Sequence, residues 1–264
     1  MNRKVYRQEQ KDWAKNAEFY LYEADSPFRK ILCAEMMEKF RLTKKHQKIL
    51  DLGASSGDFA NYLTKTLGSS VIGVDFAPEM KQVARRFYPG LPYLVASAIK
   101  LPFKDASFDA VVAGGLLHHL KVQENLKKSL AEISRILKPG GYFCYLDRSD
   151  SPVAKIAELF LGFIKKLFSM AKGNYTACST SSERLLSKAD LKLIRSHFKS
   201  VARRPAYSLP FKFLLVTSYF LQYSLGKNYF LKFQRTTIPL ARFYEKHLNF
   251  KLWETEFCEV LKRA

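Results

Sequence analysis

Residues Lys48 to Phe59, K-I-L-D-L-G-A-S-S-G-D-F, restrict the fold more than any other stretch of the chain. An apolar pair, Ile49-Leu50, meets an acid at Asp51. Gly53, Ala54, Ser55, Ser56 and Gly57 follow. Beyond them Phe59, Ala60, Leu63 and Leu67 fall at helical spacings. Strand, small-residue turn, helix is the layout of a loop that holds a nucleotide-like ligand. Glycine permits the sharp turn and lets a ligand approach without a Cβ in the way. The helix start offers N–H groups that have no partner within the helix. Tight packing alone produces similar turns, and the loop by itself supports both readings about equally.

The next strand tips the balance. Ser70-Val71-Ile72-Gly73-Val74 ends on Asp75. A carboxylate at that tip has two acceptor oxygens side by side, enough for both hydroxyls of a ribose. Four further segments follow in order: Ala98-Ile99-Lys100-Leu101-Pro102-Phe103, Ser107 to Val112, His118-His119-Leu120, and Glu132 to Gly141 with its L-K-P-G-G turn. Together, over about Ile49 to Asp147, the series resembles the class I S-adenosylmethionine-dependent methyltransferases, in the branch with L-P-F and L-K-P-G-G motifs. The resemblance implies an α/β fold: a Rossmann-like, seven-stranded, mostly parallel sheet with helices on both faces and S-adenosyl-L-methionine across the carboxyl ends of the strands.

The rest of the chain is placed around that sheet. Residues 8–23 and 27–42 read as two helices, split by Asp25-Ser26-Pro27. Strands are expected at Tyr93 to Ala96 and Phe108 to Ala113. A helix is expected from Gln123 to Leu137, ended by Pro139-Gly140-Gly141, and a fifth strand at Tyr142 to Leu146. Ser151 to Met170 has amphipathic spacing. Ser187 to Phe198 reads as a helix, Ser200 to Arg203 as strand six, and Glu256 to Leu261 as an antiparallel seventh strand. Residues 205–250, rich in aromatic and basic residues, are too long for an ordinary loop. The expected divisions are 1–47, an N-terminal helical cap; 48–204, the cofactor domain; 205–250, a helical acceptor cap; and 251–264, the last strand.

Charge limits the partners. The chain of 264 residues carries a formal charge of +20. Residues 1–150 hold 24 basic and 17 acidic side chains, and residues 151–264 hold 20 and 7, so the excess lies mostly in the back half. A basic field favours an anionic membrane surface, a nucleic acid or a phosphorylated acceptor. It also serves solubility alone. Four scattered cysteines form no zinc or disulfide pattern. The start lacks a secretory h-region and no apolar run reaches a membrane span. The expectation is a cytoplasmic protein, peripheral at the inner membrane face, with no metal.

Methyl transfer from a sulfonium is an in-line displacement, so the protein must align the groups and exclude water. The resemblance implies that Asp51, Gly53, Ala54, Ser55 and Gly57 line the methionine and ribose side, that Asp75 holds the ribose, and that Phe76 lies against adenine. It places Ser97, Ala98 and Ile99 at the adenine edge and Gly114 and Leu116 near the methionine part. Two positions depart from the family pattern. Ser55 stands where Gly is common, and Ser97 where an Asp often reads the adenine amino group. His118 and His119, just beyond strand four, are the candidates for catalysis: either could deprotonate or hold an acceptor. Packing and capping of the following turn are the alternative for this pair. Asp147, after strand five, is read as a loop acid facing the acceptor side. The acceptor read from these features is a small or lipid-linked molecule at a membrane surface. RNA or tRNA is the second reading, and a binding protein without turnover the third.

Overall fold

The computed structural model describes residues 27–45, 47–120, 123–148, 185–208 and 254–263, with scattered positions elsewhere. Five helices and seven strands lie in these stretches. Helix α1 is Pro27–Lys39, followed by β1 (Lys48–Leu52), α2 (Asp58–Leu67), β2 (Ser70–Asp75), α3 (Pro78–Phe87), β3 (Tyr93–Val95) and β4 (Phe108–Gly114). A short 3-10 turn, Leu117–His119, leads to α4 (Gln123–Ile136) and β5 (Leu137–Arg148). Then come α5 (Lys188–His197), β6 (Lys199–Ser208) and β7 (Glu254–Lys262).

The strands form one sheet in the order β3-β2-β1-β4-β5-β7-β6. β1 pairs in parallel with β2 and β4, β2 with β3, and β4 with β5. Helices on both faces require apolar side chains on both sides of the central strands. Ile49, Leu50 and Leu52 of β1 and Ala110 to Ala113 of β4 are accordingly buried. Aromatic edges close the core: Phe40 meets Phe59 at 5.9 Å, Phe103 meets Phe108 at 4.9 Å, and Phe143 meets Phe198 at 5.4 Å.

Four elements have bounds that depart clearly from the sequence-based expectation. α1 stops at Lys39 because Arg41 takes a left-handed φ of 54°, and Leu42 N–H turns back to the Met37 carbonyl at 3.1 Å. That is a helix-ending turn made without glycine. β5 starts at Leu137, not at Tyr142. Leu137 pairs with Phe108 and Tyr142 with Ala110, so Lys138 to Gly141 bulge out opposite Asp109. A Cβ at Gly141 would sit 2.9 Å from the Lys138 carbonyl oxygen. β6 runs on to Ser208, so residues 205–208, read as the start of the cap, are strand. β7 is longer than expected at both ends. The chain separates into two compact units. One is Met1–Asp147 with Cys178–Arg204 and Cys258–Ala264; the other is Arg148–Ala177 with Pro205–Phe257. The expected helices at 8–23 and 151–170 and the remainder of the 205–250 segment lie mostly outside the described residues. Among the described residues no helix is long and apolar enough to cross a membrane.

Candidate active site

Parallel strands put all their carboxyl ends on one edge, and ligands of such sheets bind there. At the end of β1, Gly53 (φ 79°), Ser55 (φ 48°) and Gly57 (φ 81°) are left-handed. Two N–H groups turn the loop onto β2: Gly53 and Ala54 both donate to the Val74 carbonyl, at 2.8 and 2.9 Å. Ser55 is the unusual member, because a Cβ makes that conformation costly. Three contacts hold it. Its N–H donates to Asp75 Oδ2 at 3.0 Å, its carbonyl accepts from the Tyr93 hydroxyl at 2.6 Å, and its hydroxyl meets Met80 Sδ at 3.7 Å.

Asp75 is thereby fixed. Its other oxygen accepts from Ala77 N–H at 3.0 Å. Ala96 N–H donates to the Asp75 carbonyl at 2.9 Å, which brings the segment after β3 alongside. There Ser97 and Lys100 close a small turn, with half-buried Ser97, Ala98 and Ile99 within it. Phe76, also half-buried, follows the acid. Asp51 lies beneath the loop, 3% exposed.

The two acids share an electrostatic problem. Burial pushes the Asp51 carboxyl up to about 7, and the neighbouring Asp75 charge adds to it; the Ala60 N–H and Arg29 pull the other way. Burial pushes Asp75 up to about 6 against backbone N–H groups of Ala77, Ser55 and Phe76. A carboxylate has about four lone-pair sites, and backbone donors do not exhaust those of Asp75. Buried acids raised in this way gain from a ligand that brings hydroxyl or ammonium donors. The residues therefore fit the ribose and amino ends of S-adenosylmethionine.

The glycines of this edge are close-approach positions. Leu116 lies 3.2 Å from where a Cβ of Gly53 would be, Leu91 2.8 Å from that of Gly57, and Met36 of α1 2.5 Å from that of Gly114. The loop after β4 is drawn in by Gly115 N–H to the Leu146 carbonyl at 2.8 Å. It presents His118, 5% exposed, and half-buried His119, with ring centroids 4.1 Å apart. Asp147 is not a loop acid: it lies within β5 and is 1% exposed. Its Oδ1 is 2.8 Å from His118 Nδ1, and its Oδ2 accepts His118 N–H at 3.2 Å. That partner assigns the proton to Nδ1 and makes Nε2 the basic nitrogen.

All the residues anticipated from the sequence thus lie along the carboxyl edge of β1, β2, β3 and β4 or directly beneath it. Three partners were not anticipated. Tyr93 reads as an ordinary strand aromatic. Met36 belongs to a helix far away in sequence. Arg29 of α1 reaches Asp58 through Nε at 3.2 Å, while the Tyr88 hydroxyl donates to the other Asp58 oxygen at 2.6 Å. This fastens α1 and the residue that ends α3 to the first residue of α2. Asp147, by contrast, reads from the sequence as facing the acceptor side, by its place at the end of a strand. Among the described residues no cluster of possible metal ligands occurs.

Known proteins resemble this chain over the same part of the sequence. A family model described as a methyltransferase domain matches residues 50–145. A demethylmenaquinone methyltransferase of Chlorobaculum tepidum is 31% identical over 147 residues, which is 56% of this chain and 60% of the relative. The probable tRNA methyltransferase 9B of Bos taurus is 28% identical over 125 residues, 46% of this chain and 26% of the relative. In both cases the chain spans less than two thirds of the relative's length. Among solved structures, phosphoethanolamine N-methyltransferase 2 of Haemonchus contortus, in complex with S-adenosyl-L-methionine, superposes with a TM-score of 0.57 at 20% identity. That likeness covers 88% of this chain and 52% of the other.

Proposed function

We propose that this chain, a class I S-adenosylmethionine-dependent methyltransferase by domain and fold, moves a methyl group to a small-molecule or lipid-linked acceptor at a membrane surface. The observation that carries the reading is the seating of Asp75. Its carboxylate is pinned at the tip of β2 by the N–H groups of Ser55, Ala77 and Phe76, which leaves acceptor capacity for a ribose hydroxyl. In this reading the 53–57 loop and Asp51 receive the methionine end, and Phe76 with Ser97 to Ile99 receive the adenine. Gly114 and Leu116 close the methionine side. The cofactor supplies an electrophilic methyl group on a sulfonium. The chain aligns the acceptor and keeps water out. Where the acceptor is a hydroxyl, Nε2 of His118 takes its proton while Asp147 stabilises the charged ring; the His119 ring lies tilted beside it.

The lipid-linked class is supported by the demethylmenaquinone relative and by the basic back half of the chain. The tRNA relative supports the RNA reading over a smaller share of its own length. A thermal-shift titration with S-adenosylmethionine and its demethylated product tests the cofactor, beside Asp75→Asn, which keeps the shape and removes the charge. Labelled methyl donor with lipid extract in one arm and tRNA in the other tests the acceptor. Label in the RNA arm alone overturns the lipid reading; absence of any thermal shift at saturating ligand overturns both.

A further inference from the structure

Helix α5 is built to turn its charge outward. A capping box fixes its start: Asp190 N–H donates to Ser187 Oγ at 3.2 Å, and Ser187 N–H donates to Asp190 Oδ2 at 2.9 Å. This buries Asp190 at 2% exposure. Ile194, one turn on, is buried on the same side. On the opposite side Lys188, Lys192, Arg195 and Ser196 are exposed, and Lys199 is exposed just past the helix end. Residues 185–204 hold six Lys or Arg and one acid, and that acid is the buried Asp190.

The cation at the middle of this stripe is held in place from below. Glu259, fully buried in β7, accepts Arg195 Nε at 3.0 Å, the Ser200 hydroxyl at 2.7 Å and the Tyr145 hydroxyl at 2.7 Å. Arg195 is held through Nε, and its guanidinium side chain is still 42% exposed. Its terminal amino groups suit a phosphate oxygen pair. Among the described residues no ion pair engages Lys188, Lys192 or Lys199. Beside the stripe lies a hollow of about 470 Å³ lined by Lys188, Leu191, Lys192, Arg195 and Ser196. Leu191 is its one apolar lining residue. No aromatic side chain is in that lining, and aromatic platforms are what single-stranded nucleic-acid surfaces stack successive bases on.

We propose that this stripe of α5, with Lys199, is the docking surface for an anionic phospholipid membrane, and that the hollow receives a lipid phosphate. The proposal rests on the lipid-acceptor reading above and deepens it: the membrane partner is met by the β6 side of the sheet. Charge complementarity selects the occupant, since each Lys or Arg near an anionic bilayer contributes about 1 kcal/mol, roughly fivefold in partition.

The test is sedimentation of the full chain with vesicles of phosphatidylcholine alone and with about one third phosphatidylglycerol added. The variant is K188Q/K192Q/K199Q, which leaves the Arg195–Glu259 pair intact. The control is K65Q/R86Q/K127Q, exposed residues on α2, α3 and α4 that remove the same net charge. The expected result is binding to the anionic vesicles only, released by salt. The α5 variant should lose on the order of a hundredfold in partition, and the control only a few-fold. Equal losses in both variants, or no binding of the unaltered chain, overturn the proposal. So does a variant that loses retention on RNA while vesicle binding stays unchanged. The cofactor-induced thermal shift, measured on the same three proteins, reports separately on the methyltransferase reading, because none of the six residues lies at the carboxyl edge.

Discussion

Ser55 shows how a single side chain can be accommodated where the backbone asks for glycine. Its left-handed φ costs on the order of 1–2 kcal/mol, and Tyr93 and Asp75 hold its carbonyl and N–H in compensation. Ser55→Gly should therefore stabilise the chain by about 1 kcal/mol. Tyr93→Phe should cost about 1 kcal/mol in the natural background and clearly less beside Ser55→Gly. Urea unfolding of the four proteins measures the coupling, and strict additivity would disprove it. Asp75 carries the second residue-scale prediction. A folded value near 6 against about 4 unfolded means that its protonated form favours the fold; this contribution is present below about pH 4 and lost as pH rises through 6. Ribose donors favour the ionised form, so cofactor binding should release protons and tighten between pH 5 and 7. Calorimetry in two buffers of different ionisation heat checks this, and Asp75→Asn should abolish the proton release and weaken binding about tenfold or more. Much of this was legible in the chain as letters: Asp75 and the glycine loop announced themselves by spacing. Tyr93 did not, because its role comes from a partner 38 positions away. Nor did the His118–Asp147 pair, which joins the ends of two strands that only the sheet makes neighbours.

Elements explain the motifs that spacing could identify but not interpret. In the L-P-F segment, the backbone is clamped by α4. Leu101 N–H donates to Glu132 Oε2 at 2.7 Å, and Arg135 donates to the Phe103 and Leu101 carbonyls and to Asp105. The same Arg135 binds Glu132 through Nε and Nη2, so one helical turn locks the segment that follows the Ser97–Ile99 turn. Arg135→Ala should cost about 2 kcal/mol and raise hydrogen exchange at the Leu101 amide. Arg135→Lys should restore little, lacking the planar fork; full protection in the lysine variant would refute the clamp. Helix and strand types followed from periodicity throughout the sheet. The boundaries that failed did so for non-local reasons. Lys138 to Gly141 read as a turn because their composition is that of a turn, yet the β4 partner draws Leu137 into pairing before the bulge begins. α1 ended early, at Lys39, because of a left-handed turn at Arg41, a residue type with no signal for one.

At the scale of the molecule, two sets of buried carboxyls pull stability in opposite directions with pH. Asp51 and Asp75 favour the fold when protonated, and their contribution fades between about pH 4 and 7. For Glu259 burial alone would raise the carboxyl, but Ser200, Tyr145 and Arg195 outweigh it and hold it below the usual range. Its contribution is present above the unfolded carboxylate value and lost on acidification. Glu259→Leu should cost about 2 kcal/mol, since it removes the acceptor of the buried Tyr145 hydroxyl while Arg195 and Ser200 reach solvent, and should remove part of the acid-side loss of melting temperature. A variant that melts like the natural chain at both pH 5 and pH 7 would contradict this account. The strand order has a consequence in time as well as in space. β7 comes from residues 254–262 and sits between β5 and β6. When a ribosome has finished residue 208, β6 exists but its only neighbour does not, and the flank of β5 is bare. Residues 209–253 must be synthesised before the gap can be filled. Throughout that interval the nascent sheet has an open edge of the kind that recruits other strands, so a message cut short before residue 254 yields a chain that cannot complete its sheet and is a substrate for chaperones or proteases.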